Sequence, residues 1–171
     1  MTLIIRNVRP GDIPALIDLA AETFIDSFGN YHTPENCKAF IAQSHNERVY
    51  HAAIADPAKL LMVAERHNEL LSYLYAKPTT LPVPHPLTNA HELSKIYTHR
   101  SAQSQGLGVR LLTEWEDWAE SRGITDLVLG VWSENNAAQR FYMRHNYKKI
   151  SEYQLTVGDV QDTDFIFHKS L

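Results

Sequence analysis

The stretch best suited to chemistry is Gln103-Ser104-Gln105-Gly106-Leu107-Gly108-Val109-Arg110. A strand ends before it, the chain turns through two glycines, and an amphipathic helix starts at once. Glycine lets the backbone approach a ligand closely, and the first N–H groups of a helix have no intrahelical acceptor. Together with the helix dipole they form a site for phosphate oxygens. Glycines that only shape a tight turn are the alternative. Two other phosphate motifs are excluded: a Rossmann fingerprint needs a third small residue where Leu111 stands, and a P-loop needs Lys-Ser or Lys-Thr where Val109-Arg110 follows.

Other polar groups are more ambiguous. Glu22 and Asp26 are four apart on a helical pattern, so they share a face, beside the ring of Phe24 or Tyr31. That face can hold a polycation; a solvated acidic surface is the alternative. Nine histidines invite a metal reading, yet none pair at helical spacing with a third ligand in reach, and there is no His/Cys cluster. No metal is expected. His99 and His145 read as surface or capping groups. Cys37, beside Phe40 and Ile41, reads as core rather than nucleophile, and a lone cysteine forms no internal disulfide.

The elements that must position these residues follow from periodicity and punctuation. Leu3–Val8 is a short β-branched strand. Pro10-Gly11-Asp12 punctuates, with Asp12 placed to cap a helix whose apolar face is Ile13, Leu16, Ile17, Ala20, Phe24 and Phe28. Gly29-Asn30 ends it. A second helix begins near Thr33-Pro34-Glu35, capped by Thr33, and runs towards Asp56-Pro57. Leu60–Glu65 and Leu70–Tyr75 flank His67-Asn68 as a hairpin. Four prolines between Lys77 and Asn89 make an extended loop, either a surface connection or a pocket wall. Glu92–Thr98 is a strand. The next helix carries Leu107, Leu111, Leu112, Trp115, Trp118 and Ala119 on one side and stops at Gly123. Thr125–Trp132 is apolar enough for a strand covered on both faces. A short helix with Ala138, Phe141, Tyr142 and His145 follows, and Lys148–Val157 and Thr163–Lys169 close the chain as a hairpin around Gly158-Asp159. The order is β-α-α-β-β-β-α-β-α-β-β: one mixed, mostly antiparallel α/β (α+β) sheet with helices on both faces, in a single domain over 1–171.

Two motifs in this order carry a family resemblance. Gln103-x-x-Gly106-x-Gly108 resembles the Q/R-x-x-G-x-G/A pyrophosphate loop of GNAT N-acetyltransferases. Asn135-x-x-Ala138-x-x-Phe141-Tyr142, then Asn146-Tyr147, is similar to that family's N-x-x-A-x-x-F-Y-x-x-x-G-F, with Asn146 for Gly and Tyr147 for Phe. Asn tolerates the left-handed conformation and Tyr keeps the ring. Glu22–Phe28, Glu92–Tyr97 and Val157–Asp164 further resemble segments of bacterial spermine/spermidine acetyltransferases of the PaiA type.

The resemblance implies acetyl-CoA as co-substrate and direct transfer of acetyl to a primary amine, such as spermidine or spermine. It implies Glu92 as base, directly or through water, because an alkylammonium with a pKa near ~10 must lose a proton before attack. It implies a backbone N–H near Tyr97 and Thr98 for the oxyanion and Tyr142 as proton donor to the departing thiolate. Cofactor contacts are expected at Ile96, Tyr97, Thr98, Gln103, Ser104, Gln105, Gly106, Leu107, Gly108, Val109, Asn135 and Tyr142. The pantetheine arm would lie like an extra strand between two strands that splay apart. Arg110 either reaches the 3′-phosphate or is solvated. Glu22, Asp26 and Tyr31 are the expected acceptor contacts. Protein N-terminal or lysine acetylation is the rival activity, and a non-catalytic acyl-CoA sensor the rival of another class. Members of the family often pair as homodimers.

Bulk properties agree with such an enzyme. The chain has 171 residues, 44% apolar and 21% charged, with net charge −4 from sixteen basic and twenty acidic residues. A nucleic acid or an anionic membrane needs a concentrated basic face, so neither is expected as partner. No apolar run approaches the ~18 residues of a membrane span, and a cytoplasmic, soluble protein is the reading.

Overall fold

The structure, a computed structural model, describes residues 3–171. Seven strands form one sheet: β1 (Ile4–Asn7), β2 (Leu60–Arg66), β3 (Glu69–Pro78), β4 (Ala90–Thr98), β5 (Asp126–Trp132), β6 (Lys148–Val157) and β7 (Val160–Ser170). Their order is β1-β2-β3-β4-β5-β7-β6. Every neighbouring pair is antiparallel except β4 and β5. Both expected hairpins form. His67 and Asn68 take φ of 55° and 63° to turn β2 into β3, and Gly158 at φ 63° with Asp159 turns β6 into β7, which begins three residues before the expected Thr163.

Five α-helices lie among the described residues: α1 (Ile13–Phe28), α2 (Pro34–Ser44), α3 (Glu47–Ala55), α4 (Leu107–Ser121) and α5 (Asn136–Arg144). The apolar stripes send them to opposite faces. Leu111, Leu112, Trp115 and Ala119 of α4 and Tyr142 of α5 pack with Leu60, Met62, Leu74 and Leu93 of the sheet. Leu16, Leu19 and Ala20 of α1 and Tyr50 and Ala53 of α3 pack on Leu61, Val63, Tyr73 and Tyr75. Cys37 joins Phe24 and Val157 in a smaller cluster. Among the described residues no helix is long and apolar enough to cross a membrane.

Two local expectations are corrected. The single helix from Thr33 towards Asp56 is two. Thr33 caps the first, accepting from Asn36 N–H at 3.2 Å. The helix then stops at His45 (φ −130°, ψ 79°), and Asn46 caps a new one through Val49 N–H at 3.0 Å. His45 is buried and its Nδ1 meets the Tyr50 hydroxyl at 2.7 Å, which ties the break to the core. Asp12 makes no side-chain cap on α1; its carboxylate holds the Arg6 guanidinium and the Arg9 N–H instead.

A buried relay locks α4 to β4. Trp115 Nε1–H donates to His91 Nδ1 at 3.0 Å, which leaves Nε2–H to donate to Ala58 O at 2.9 Å. The imidazole is therefore one defined neutral tautomer, and burial lowers its proton affinity further. His91 precedes Glu92, so the relay fixes the strand where the site begins.

Candidate active site

The site is built on a fork in the sheet. β4 and β5 pair over four positions, from Ala90↔Asp126 to Leu93↔Leu129, and then part. Beyond the fork β4 stays bound to β3, and β5 to β7. Ser94, an extra residue in the β4 register, makes a bulge at the fork. In a strand, the N–H and C=O of one residue lie on the same edge. Tyr97 O accepts from Ser72 Oγ at 2.7 Å, and His99 N–H donates to Leu71 O at 2.8 Å. Residues 97 and 99 thus face β3, and Ile96 and Thr98 turn their backbone groups into the gap. Of the two positions expected to offer an oxyanion donor, the gap-facing one is Thr98.

The glycine loop stands at the mouth of this gap. After β4, a 3-10 turn (Arg100–Ala102) leads into Gln103–Gly106, where Ser104 and Gly106 have φ of 61° and 77°. Such left-handed positions curl successive N–H groups into a concave anion site. Gly106 is the α4 N-cap with no side-chain cap, and the first N–H of that end to bond a helical carbonyl is Arg110, to Gly106 O at 3.1 Å. The preceding donors face outwards, and a Cβ at Gly106 would meet nothing within 4 Å. The two glutamines brace the loop: Gln103 Nε2 donates to Thr98 O at 3.2 Å and Gln105 Nε2 to Ser101 O at 3.1 Å. Leu107 is buried and anchors the first turn, Val109 is 40% exposed, and Arg110 lies on the open face. Gly108 is helical, and a Cβ there would make only ordinary contact with Phe141 at 3.7 Å. These free donors beside an unpaired strand edge suit the pyrophosphate and the amide-rich arm of coenzyme A.

A cavity of about 540 Å³ passes through the fork. On one side it reaches Asn135, Ala138 and Tyr142; on the other, Phe24, Phe28 and Phe40 of the first two helices. Tyr142 is 7% exposed, and burial, then Tyr97, push its phenol up, so it remains a proton donor. Asn135 spends its side-chain oxygen capping α5, accepting from Ala138 N–H at 3.0 Å. The proline-rich loop is a wall of this cavity through Thr80, Leu81 and Pro82.

Several ionisable groups share the cavity. Glu92 is buried but already engaged: it accepts from Thr80 N–H at 2.9 Å and from the Thr80 and Thr79 hydroxyls, and lies 3.7 Å from Lys77 Nζ. Lys95, over the Tyr75 ring at 5.2 Å, is pushed down to about 8 by burial and by Lys77. Asp162 stands 3.0 Å from His32 Nε2. Asp164 is buried, and desolvation pushes it up to about 6. Asp164, in the Val157–Asp164 segment, lines the cavity although nothing in its local sequence marks it as a site residue. Among the described residues no cluster of three potential metal ligands occurs.

The expected acceptor face of α1 lies elsewhere. Glu22 and Asp26 do share a face, but Glu22 meets His99 Nε2 at 3.1 Å and Asp26 lies 4.0 Å from Arg100. Neither lines the cavity, because α1 turns its phenylalanines inwards and its carboxylates out. Tyr31, 64% exposed, packs edge-on against Trp132 at 4.6 Å, at the outer rim.

The comparisons with known proteins agree with this architecture. The family model described as "Acetyltransferase (GNAT) family" matches residues 14–147, and the chain belongs to that family. An uncharacterised N-acetyltransferase of Lactobacillus delbrueckii subsp. lactis is 30% identical over 98% of this chain and 96% of its own length. A spermidine N(1)-acetyltransferase of Thermoplasma acidophilum is 22% identical over 99% and 98%. Among solved structures, a PaiA N-acetyltransferase from Thermoplasma acidophilum in complex with coenzyme A superposes with a TM-score of 0.81 at 20% identity, covering all of both chains. The protein is thus an acetyl-CoA-dependent acetyltransferase.

Proposed function

We propose that this enzyme transfers acetyl from acetyl-CoA directly to a primary amine in a ternary complex, with a polyamine such as spermidine or spermine as acceptor. One observation carries the reading: a single cavity joins Tyr142 and the gap-facing β4 edge on one side to the carboxylates Glu92, Asp162 and Asp164 on the other. The name of the Thermoplasma relative supports the polyamine.

Acetyl-CoA supplies the activated thioester. The loop Gln103–Val109 holds its phosphates through backbone donors, and Ile96 and Thr98 offer backbone groups to its amide arm. A gap-facing N–H of β4 serves the carbonyl oxygen as negative charge develops there. Tyr142 gives its proton to the departing sulfur. Glu92, fixed by Lys77 and the Thr79-Thr80 turn, presents a carboxylate towards an incoming cation. Lys95, lowered towards neutrality, yields its own charge more readily than an ordinary lysine.

Lys95 also favours a second reading. Among the described residues no hydrogen bond or ion pair engages its ammonium, and a peptide N-terminus with a neighbouring acidic side chain would satisfy it. Thiol release from acetyl-CoA tests both, with spermidine, spermine, aminoglycosides, amino acids and short acidic peptides as acceptors. Spermidine-dependent release supports the polyamine; release with peptides alone supports the second reading; binding of acetyl-CoA without release to any amine refutes both.

A further inference from the structure

Asp164 has a free oxygen. The residue is 6% exposed; among the described residues its Oδ1 is buried without a hydrogen-bond partner, and its Oδ2 has one long bond, from the Tyr153 hydroxyl at 3.4 Å. A buried carboxylate oxygen with no donor is expensive unless a ligand completes it. β7 lies between β5 and β6, with Trp132 and Tyr153 as the register partners of Asp164, so the residue sits inside the sheet and not at its edge. Its surroundings are cut for the purpose. A Cβ on Gly130 would come 2.6 Å from the Tyr153 hydroxyl, so glycine there makes room for the phenol. Gly130 is the first β5 residue past the last pair with β4, which puts Tyr153 at the fork. Of the other cavity carboxylates, Glu92 is committed to Thr80 and Lys77, and Asp162 stands against the His32 ring.

We propose that Asp164, steadied by Tyr153 over Gly130, receives the acceptor's ammonium and takes its proton. The proposal rests on the amine-transfer reading above and gives it a base other than Glu92. In the step, R–NH3+ passes one proton to the Asp164 carboxylate. The neutral amine attacks the acetyl carbon, the C–N bond forms and the C–S bond breaks. The sulfur leaves with the Tyr142 proton, Tyr142 is reprotonated from the new amide nitrogen, and Asp164 returns its proton to water. The charged and titratable groups facing Asp164 are Tyr153 from β6, Tyr97 from β4 and Asp162 from its own strand. Burial and Asp162 raise it, and the Tyr153 hydrogen bond lowers it. The result, about 6, leaves it ionised at neutral pH and able to accept a proton.

The test is kcat/KM for spermidine, from thiol release between about pH 5 and about pH 9, alongside calorimetric acetyl-CoA affinity. The parent should rise through an inflection near 6. Asp164→Asn should lose that inflection and roughly 100-fold or more in rate, with acetyl-CoA affinity unchanged as the sign of an intact fold. Tyr153→Phe should keep the inflection and move it to higher pH, since the bond that lowers Asp164 is gone; Glu92→Gln should keep it in place. An Asp164→Asn enzyme with the parent's inflection, or loss of the inflection in Glu92→Gln instead, overturns the proposal. If the parent acetylates an alanyl peptide but not spermidine, only the polyamine fails, and the same variants decide on the peptide. A parent that acetylates no amine overturns both.

Discussion

Replacing Gly106 by alanine separates ligand binding from folding. At φ 77° the new Cβ meets the strain of the left-handed region, about 1–2 kcal/mol. Nothing lies within 4 Å of it, so no packing clash adds to that cost. For a chain of this length that corresponds to a fall in Tm of roughly 2–8 °C, at about 2–4 °C per kcal/mol. In the proposed assignment the methyl group would also stand where the backbone meets the phosphates. Displacing one charge-assisted hydrogen bond there costs about 1.5–3 kcal/mol, which is roughly 10- to 100-fold in acetyl-CoA Kd. Gly123, just past the other end of α4, has φ 71° and equally open space. Gly123→Ala should therefore lose similar stability and leave Kd alone. Calorimetric titration and thermal melts of both variants read the two effects. Equal acetyl-CoA affinities in parent and Gly106→Ala would refute the assignment of the phosphate loop.

Tyr142→Phe should slow turnover roughly 10- to 100-fold with acetyl-CoA affinity nearly intact; an unchanged kcat removes it as proton donor. His91→Leu orphans the buried Trp115 N–H and should cost about 1–3 kcal/mol in denaturant unfolding, whereas a stability equal to the parent's would mean the relay is dispensable. Asp164 binds its proton more tightly folded than unfolded, so the parent loses stability from this group as pH rises from about 4 to about 6. Asp164→Asn escapes that loss and should gain roughly 1–3 kcal/mol on the parent at pH 7, with the gain fading towards pH 4. A difference independent of pH would refute the raised proton affinity.

Much of the fold is legible in the chain because its determinants are local. The left-handed turns at His67-Asn68 and Gly158-Asp159, the apolar stripe of α4 and the stop at Gly123 announce themselves over a few residues. The glycine loop is equally local, as its function depends on backbone conformation between a strand and a helix. The break between α2 and α3 is local too, and Asn46 ahead of Glu47 was its signal. The fork was expected only through the family resemblance, and its position could not be read from the residues: where β4 and β5 stop pairing depends on the Ser94 bulge and on β7 claiming the far edge of β5. Asp164 was hidden for the same reason. Aspartates such as Asp162 and Asp164 in a final strand read as solvent-facing, and only the order β5-β7-β6 makes that strand internal. Glu22 and Asp26 lie off the cavity because a shared helical face says nothing about which way it turns.

The central claim is direct transfer within one cavity that holds both substrates. Initial rates of thiol release, with acetyl-CoA and spermidine varied against each other, test it most directly. Transfer in a ternary complex predicts double-reciprocal lines that intersect. Parallel lines, the mark of an acetylated enzyme formed before the amine binds, would contradict it.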